Sequence, residues 1–190
     1  MDVRTAWGFI KSDLLRYAAN TGPKAFIKNY LRNRSFRYCF WFRLCEVDSK
    51  PLFLLAAIMH DRLSKKFGIQ IPRRTKIGAG LYIGHYMSLV VHPNTVIGEG
   101  CNLSQFTTIG SNKNTPAKIG NNVYIGPGCC IVEDVTVGDN SIIGAGSVVV
   151  KSIPANCTAA GNPAKVISKK YRAPDTSIVD PDQAPARSAA

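Results

Sequence analysis

The stretch Lys118-Ile119-Gly120-Asn121-Asn122-Val123-Tyr124-Ile125-Gly126-Pro127-Gly128-Cys129-Cys130-Ile131-Val132-Glu133-Asp134-Val135-Thr136-Val137-Gly138-Asp139-Asn140-Ser141-Ile142-Ile143-Gly144-Ala145-Gly146-Ser147-Val148-Val149 decides the fold. An aliphatic residue recurs every six positions, at Ile119, Ile125, Ile131, Val137, Ile143 and Val149. Glycine follows at once at Gly120, Gly126, Gly138 and Gly144, and a second sits two further on at Gly128 and Gly146. A period of six is neither that of a helix nor plain strand alternation. Each hexad reads as a short strand and a tight corner, with its aliphatic residue pointing into a coil. Small residues let the chain turn without a Cβ clash. Three hexads close one triangular turn, and stacked turns pair their backbone groups up and down the coil.

The pattern extends toward the amino terminus. Aliphatic residues fall at Ile71, Ile77, Ile83 and Leu89, then resume at Ile97, Leu103 and Ile109 after a two-residue slip. The reading places that slip in residues 88–96, around His92-Pro93-Asn94. A second break, residues 111–118, adds four residues at a corner. Insertions in a solenoid become loops on one edge, often the binding edge. About four to five turns fit between Ile71 and Ile153. A glycine-rich sandwich would not keep so many aliphatic positions in a six-residue register. The handedness is not carried by the spacing, and the usual crossover preference is right-handed.

Residues 1–68 have another texture, holding both Trp and seven of the eight Phe. They read as helices: Thr5 to Asn20, with Trp7, Ile10, Leu14 and Tyr17 at helical spacing, then a short one through Phe26, Ile27, Tyr30 and Leu31. A third is expected over Phe36 to Leu44, and a fourth from Pro51 to Phe67, closed by Gly68. The expected organisation is a helical region 1–68, a β-helix 69–154 with the loop 111–118, a coil cap 155–170 and a flexible tail 171–190.

Residues 1–70 carry 13 Lys/Arg against 5 Asp/Glu, within a formal net charge of +12 for the chain. A basic surface suits nucleic acid, anionic lipid or an anionic cofactor. No nucleic-acid recognition module appears, so a nucleic-acid partner is not expected. Arg32, Arg34, Arg37 and Arg43 beside Phe36, Phe40, Trp41 and Phe42 allow peripheral contact with the inner membrane face. Packing of those aromatics among the helices is the favoured reading. No apolar run is long enough to span a bilayer, and the start lacks a secretory signal, so a cytoplasmic location is expected. The six cysteines show no metal spacing and read as buried free thiols, with one of Cys129 and Cys130 pointing inward. No metal is expected.

Specific motifs now point to a family. Lys11-Ser12-Asp13-Leu14, Phe40-Trp41-Phe42-Arg43-Leu44 and Lys76-Ile77-Gly78-Ala79-Gly80-Leu81-Tyr82-Ile83-Gly84-His85 lie in the first half. Thr107-Thr108-Ile109-Gly110, Ile142-Ile143-Gly144-Ala145-Gly146-Ser147-Val148-Val149 and Ala159-Ala160-Gly161-Asn162-Pro163-Ala164-Lys165 follow. Over Trp7 to Lys169 the chain resembles the serine acetyltransferase branch of the hexapeptide-repeat acyltransferases. It looks closer still to the short members of capsule and exopolysaccharide synthesis. The resemblance implies a mainly β fold, a left-handed parallel β-helix with a small N-terminal α-helical region. It also implies acetyl-coenzyme A as donor and a homotrimer with sites between coils.

By the same resemblance His85 matches the catalytic general base, a role that imidazole suits because it titrates near neutrality. His60 reads as structural. Ser111 matches the residue whose backbone N–H stabilises the oxyanion. Gly126, Gly144, Ala145, Ala160 and Gly161 are small enough for the cofactor to approach, and Lys151 and Lys165 could meet its phosphates. His92 is a candidate acceptor contact. Two departures stand out: Gln70 and Pro116 occupy positions where the serine enzymes carry an aspartate and a second histidine. Gln70 lacks the charge that favours imidazolium but could orient the ring. On these grounds the expected acceptor is a sugar hydroxyl of a capsular or exopolysaccharide precursor. The alternatives are serine O-acetylation for cysteine synthesis and a non-catalytic trimeric β-helix scaffold.

Overall fold

The computed structural model describes residues 1–169. The tail expected over 171–190 lies outside the described residues. Four helices come first: α1 (Val3–Leu15), α2 (Pro23–Arg32), α3 (Arg34–Leu44) and α4 (Lys50–Phe67). Their ends carry local signals. Asp2 caps α1 by accepting from the Thr5 N–H, and Asn33 caps α3 by accepting from the Phe36 N–H. Pro23 and Pro51 sit in first turns, where no N–H is needed. Gly68 closes α4 at φ 66, a left-handed conformation that a Cβ disfavours. Helix α1 is shorter than its spacing suggests, because Arg16 and Tyr17 turn toward the coil, and Trp7 stays 41% exposed beside Phe26.

Helix α3 is central and packs against α1, α2 and α4. Phe36, Tyr38 and Phe42 are fully buried, and Arg43 is 1% exposed. Of the basic aromatic cluster, Phe36, Trp41, Phe42 and Arg43 are thus interior, while Arg32 and Arg34 stay exposed. Among the described residues no helix is long and apolar enough to cross a membrane.

His60 on α4 is buried, and its Nε2 meets the Tyr38 hydroxyl at 2.9 Å. Burial, helped by nearby Arg73, lowers its pKa from 6.5 to about 4. A depressed folded value favours the neutral ring. The stabilisation is complete above pH 6.5 and is lost as pH falls toward 4. It amounts to about 3 kcal/mol by linkage. Urea denaturation between pH 7 and pH 4 should therefore show a falling midpoint, and His60→Gln should flatten that slope. An unchanged slope in the variant would assign the acid lability elsewhere.

The rest of the described chain is a left-handed parallel β-helix. Its first face stacks β1 (Lys76–Ile77), β4 (Val96–Ile97), β7 (Lys118–Ile119) and β10 (Thr136–Val137). Its second stacks β2 (Tyr82–Ile83), β5 (Asn102–Leu103), β8 (Tyr124–Ile125), β11 (Ile142–Ile143) and β13 (Thr158–Ala160). There β14 (Lys165–Ser168) closes the end antiparallel to β13. The third stacks β3 (Val90–Val91), β6 (Thr108–Gly110), β9 (Cys130–Val132) and β12 (Val148–Val149). Paired residues such as Ile83, Leu103, Ile125, Ile143 and Ala159 form one buried column inside the second face. Cys129 faces inward and Cys130 is partly exposed on the outer side, as strand alternation requires.

The first break differs from the expectation. Val91, not Leu89, pairs with Ile109. Eight residues separate Ile83 from Val91, where six separate Leu103 from Ile109. The two extra residues therefore fall at the corner carrying His85, and not around His92-Pro93-Asn94. Leu89 and Val91 are both buried, so spacing alone fits either register. The four-residue insertion at 111–118 lies after β6, where expected.

The helices also finish the open end of the coil. The first turn has no strand above it, so its N–H and C=O groups need other partners. Asp13 accepts from Leu81 N at 2.8 Å, and Tyr17 Oη accepts from Ile83 N at 2.8 Å. Arg43 donates to the carbonyls of Ile77 and Gly78 at 2.7 Å each. Arg43 and Asp13 also form a buried ion pair with N···O distances of 2.8 and 3.0 Å. Burial alone would lower the Arg43 pKa. The adjacent Asp13 carboxylate outweighs it and holds the guanidinium above its ordinary value.

Candidate functional site

The coil has three corners, each following one face. The second corner stacks His85, then Ser104-Gln105-Phe106, Gly126-Pro127-Gly128, Gly144-Ala145-Gly146, and Ala160-Gly161. Backbone bonds tie the layers: Phe106 N donates to Met87 O, Gly128 N to Gln105 O, Gly146 N to Pro127 O and Gly144 N to Ala159 O. His85 and all five small residues assigned to cofactor approach therefore lie on one edge of the coil.

The stacking itself explains their size. A Cβ on Gly126 would lie 2.7 Å from Ala145 N and 2.9 Å from Ile143 O, both backbone atoms that cannot give way. A Cβ on Gly144 would come within 3.0 Å of the Ala160 methyl. The result is a shallow edge on which Gly128, Ala145, Gly146 and Gly161 are exposed. A long ligand could meet backbone directly along it.

His85 is exposed at the top of this edge. It lines a depression of about 290 Å³ with Tyr82, Gly84, Asn102, Ser104, Gln105, Tyr124 and Pro127. These flanking residues were missed from sequence. Tyr82, Asn102 and Tyr124 share one column on the second face, which is visible only once the register is known. Cys129, inside the coil, has its thiol pushed up by burial and donates to Gly144 O at 3.1 Å, so it offers no thiolate.

The other assigned residues sit elsewhere. Gln70 lies beyond the helices, bridging Val90 on the third face through its backbone. Its side chain is exposed, it lines a depression apart from that of His85, and no hydrogen bond joins the two among the described residues. Its backbone joins the strand just beyond the His85 corner, Gln70 N donating to Leu89 O at 2.6 Å and Gln70 O accepting from Val91 N at 2.9 Å, yet the expected ring-orienting hydrogen bond is not made among the described residues. His92, Ser111 and Lys151 occupy the third corner. The Ser111 hydroxyl donates to Glu133 at 3.1 Å and accepts from the N–H groups of Lys113 and Thr115 at 3.2 Å each. His92 Nδ1 accepts from Asn94 N at 3.2 Å, and Asn94 in turn bonds Asn114 of the loop. Within one chain, then, Ser111, His92 and Lys151 are not beside His85. Lys165 is exposed on β14, in register with Ala160 near the far end of the second corner. Pro116 is buried against the coil. Among the described residues no group of three or more His, Cys, Asp or Glu could hold a metal ion.

Residues 116–151 match the family model described as bacterial transferase hexapeptide (six repeats). The mitochondrial serine acetyltransferase 3 of Arabidopsis thaliana is 32% identical over 151 residues, covering 77% of this chain and 39% of that protein. The serine acetyltransferase of Salmonella typhimurium is 31% identical, covering 77% of this chain and 54% of that one. The crystal structure of the Brucella abortus serine acetyltransferase in complex with coenzyme A superposes with a TM-score of 0.72 at 27% identity. It covers 87% of this chain and 69% of that chain. The chain thus spans about half the length or less of these two curated relatives. These relatives overturn the expected sugar acceptor, since they are named for serine and not for capsule or exopolysaccharide synthesis. That expectation rested on Gln70 and Pro116. Among the described residues Gln70 makes no hydrogen bond to His85, and Pro116 is buried. By its six-residue period, its three stacked faces and its match over residues 116–151, the β-helix of this chain is similar to the bacterial transferase hexapeptide family.

Proposed function

We propose that this chain transfers the acetyl group of acetyl-coenzyme A to the hydroxyl of serine, in a homotrimer whose sites lie between neighbouring coils. The observation that carries this reading is the second corner, where His85 heads a continuous edge of small residues. The serine acetyltransferase relatives supply the reaction class.

In the proposed step the His85 imidazole takes the proton of the serine hydroxyl as that oxygen attacks the thioester carbonyl. The carbonyl oxygen becomes an oxyanion. The tetrahedral centre then collapses, the C–S bond breaks, and the coenzyme A thiolate leaves with the proton carried by the imidazolium. The product is O-acetylserine and free thiol, with no acyl-enzyme.

The divided site supports the trimer. His85 and the small residues are on the second corner, while Ser111, His92 and Lys151 are on the third. Packing the second corner of one coil against the third corner of the next would bring the Ser111 N–H toward the oxyanion. It would also bring Lys151 toward the cofactor phosphates, with Lys165 near Ala160 on the first coil. His92 would then approach the acceptor.

The test is direct. Free thiol release from acetyl-coenzyme A should depend on L-serine, and calorimetry should show coenzyme A binding. Light scattering should give three times the chain mass. Absence of both serine-dependent release and coenzyme A binding would overturn the reading.

A further inference from the structure

We propose that Tyr86 and Arg34 are positioning residues for His85: the helical region holds the catalytic corner through them. This rests on the proposed role of His85 as base.

The imidazole of His85 is exposed, and no side-chain hydrogen bond orients it among the described residues. Its placement therefore depends on the backbone of the corner. That corner is two residues longer than a regular hexad, and a lengthened surface loop is normally mobile. Here it is fastened at several points. Gly84 N donates to Leu103 O at 3.0 Å, and Met87 N donates to His85 O at 2.8 Å. Ser88 N donates at 3.0 Å to the carbonyl of Phe67, the last residue of α4. Ser88 is held at φ 46, a left-handed conformation that a serine keeps only when its surroundings impose it.

The residue next to His85 completes the fastening. The Tyr86 ring lies 5.1 Å from the Phe67 ring, centroid to centroid. Its hydroxyl accepts from Arg34 Nη1 at 2.7 Å, and the Arg34 guanidinium carbon lies 4.9 Å from the Tyr86 ring centroid. Arg34 opens α3, the central helix, and Phe67 ends α4. Both helices thus grip the single loop residue that follows the base. Its neighbour Met87 and the next layer, through Phe106, are linked to the same corner.

This clamp is at the surface, so its worth to global stability is small. Its effect on catalysis is larger, because a base displaced by about 1 Å loses rate steeply. Tyr86→Phe keeps the ring against Phe67 and removes only the hydroxyl. Arg34→Met keeps the stem and removes the donor. Each should lower kcat about tenfold by misplacement of the base, with the KM for acetyl-coenzyme A unchanged. The double variant should lose no more than either single one, because both remove one interaction. Arg34→Lys should recover part of the rate. Independently of any acceptor, hydrogen exchange at the Met87 and Ser88 amides should quicken in both single variants.

The outcomes separate. Loss of activity in His85→Ala with wild-type kcat and unchanged Ser88 protection in both single variants would sink the positioning role alone. A parallel rise in the acetyl-coenzyme A KM and fall in Tm would make the clamp merely structural and overturn it as well. Full activity in His85→Ala would remove the catalytic reading and the proposal with it.

Discussion

His85→Ala should lower serine-dependent thiol release by about 10²- to 10⁴-fold in kcat, the usual worth of a positioned general base. The side chain is exposed and lacks partners within the described chain. Its removal should therefore leave the unfolding free energy within the range of ordinary surface changes, about 0.5 kcal/mol. Coenzyme A affinity, measured by calorimetry, should also persist, because the small-residue edge from Gly126 to Gly161 is untouched. The combination of lost turnover with kept fold and kept cofactor binding is the signature sought. Residual kcat above a tenth of the wild type would assign the base elsewhere, and loss of coenzyme A binding would point to a cofactor contact.

The second large effect concerns stability. Asp13→Ala leaves Arg43 as an uncompensated charge in a site where both partners are 1% exposed. Breaking a buried pair in this way costs about 3–5 kcal/mol. For a chain of this size that is a Tm drop of roughly 10 °C or more. Exchanging both partners for apolar residues is often harmless elsewhere. Here it should not restore stability. Asp13 also receives Leu81 N–H, and Arg43 also serves the carbonyls of Ile77 and Gly78, so an apolar pair orphans three backbone groups. Calorimetric melting of Asp13→Ala, Arg43→Met and Asp13→Leu/Arg43→Met checks both points. A double variant as stable as the wild type would refute the capping role of the pair.

These two expectations come from different layers of the molecule. The motif around Gly84-His85 was legible in the sequence, since His85 directly follows the aliphatic-glycine pair of a hexad and the chain has only three histidines. The partnership of Asp13 with Arg43 was not. Thirty residues separate them, and nothing in helical spacing tells a buried aspartate from a solvated one. The slip near residue 88 shows the same limit. Leu89 and Val91 both fit an inward position, and only pairing with Ile109 decides between them. Gln70 illustrates it once more. The family pattern suggested a hydrogen bond to the histidine, which is not made among the described residues although the backbone of Gln70 bridges Val90 just beyond the His85 corner.

The sequence by itself determined the coil and the four helices. Hexad periodicity, helix caps and Gly68 act through neighbouring residues, so local chemistry suffices to read them. It also determined that His85 and the small residues stand at corners. Only the tertiary structure decided that they share one corner while Ser111, His92 and Lys151 share another. That follows from the exact lengths of the corners, because each added residue moves every later side chain around the triangle. It likewise decided that Arg34, Phe67 and Tyr86 meet at the base, a contact made by packing the helices against the coil rather than by any local signal.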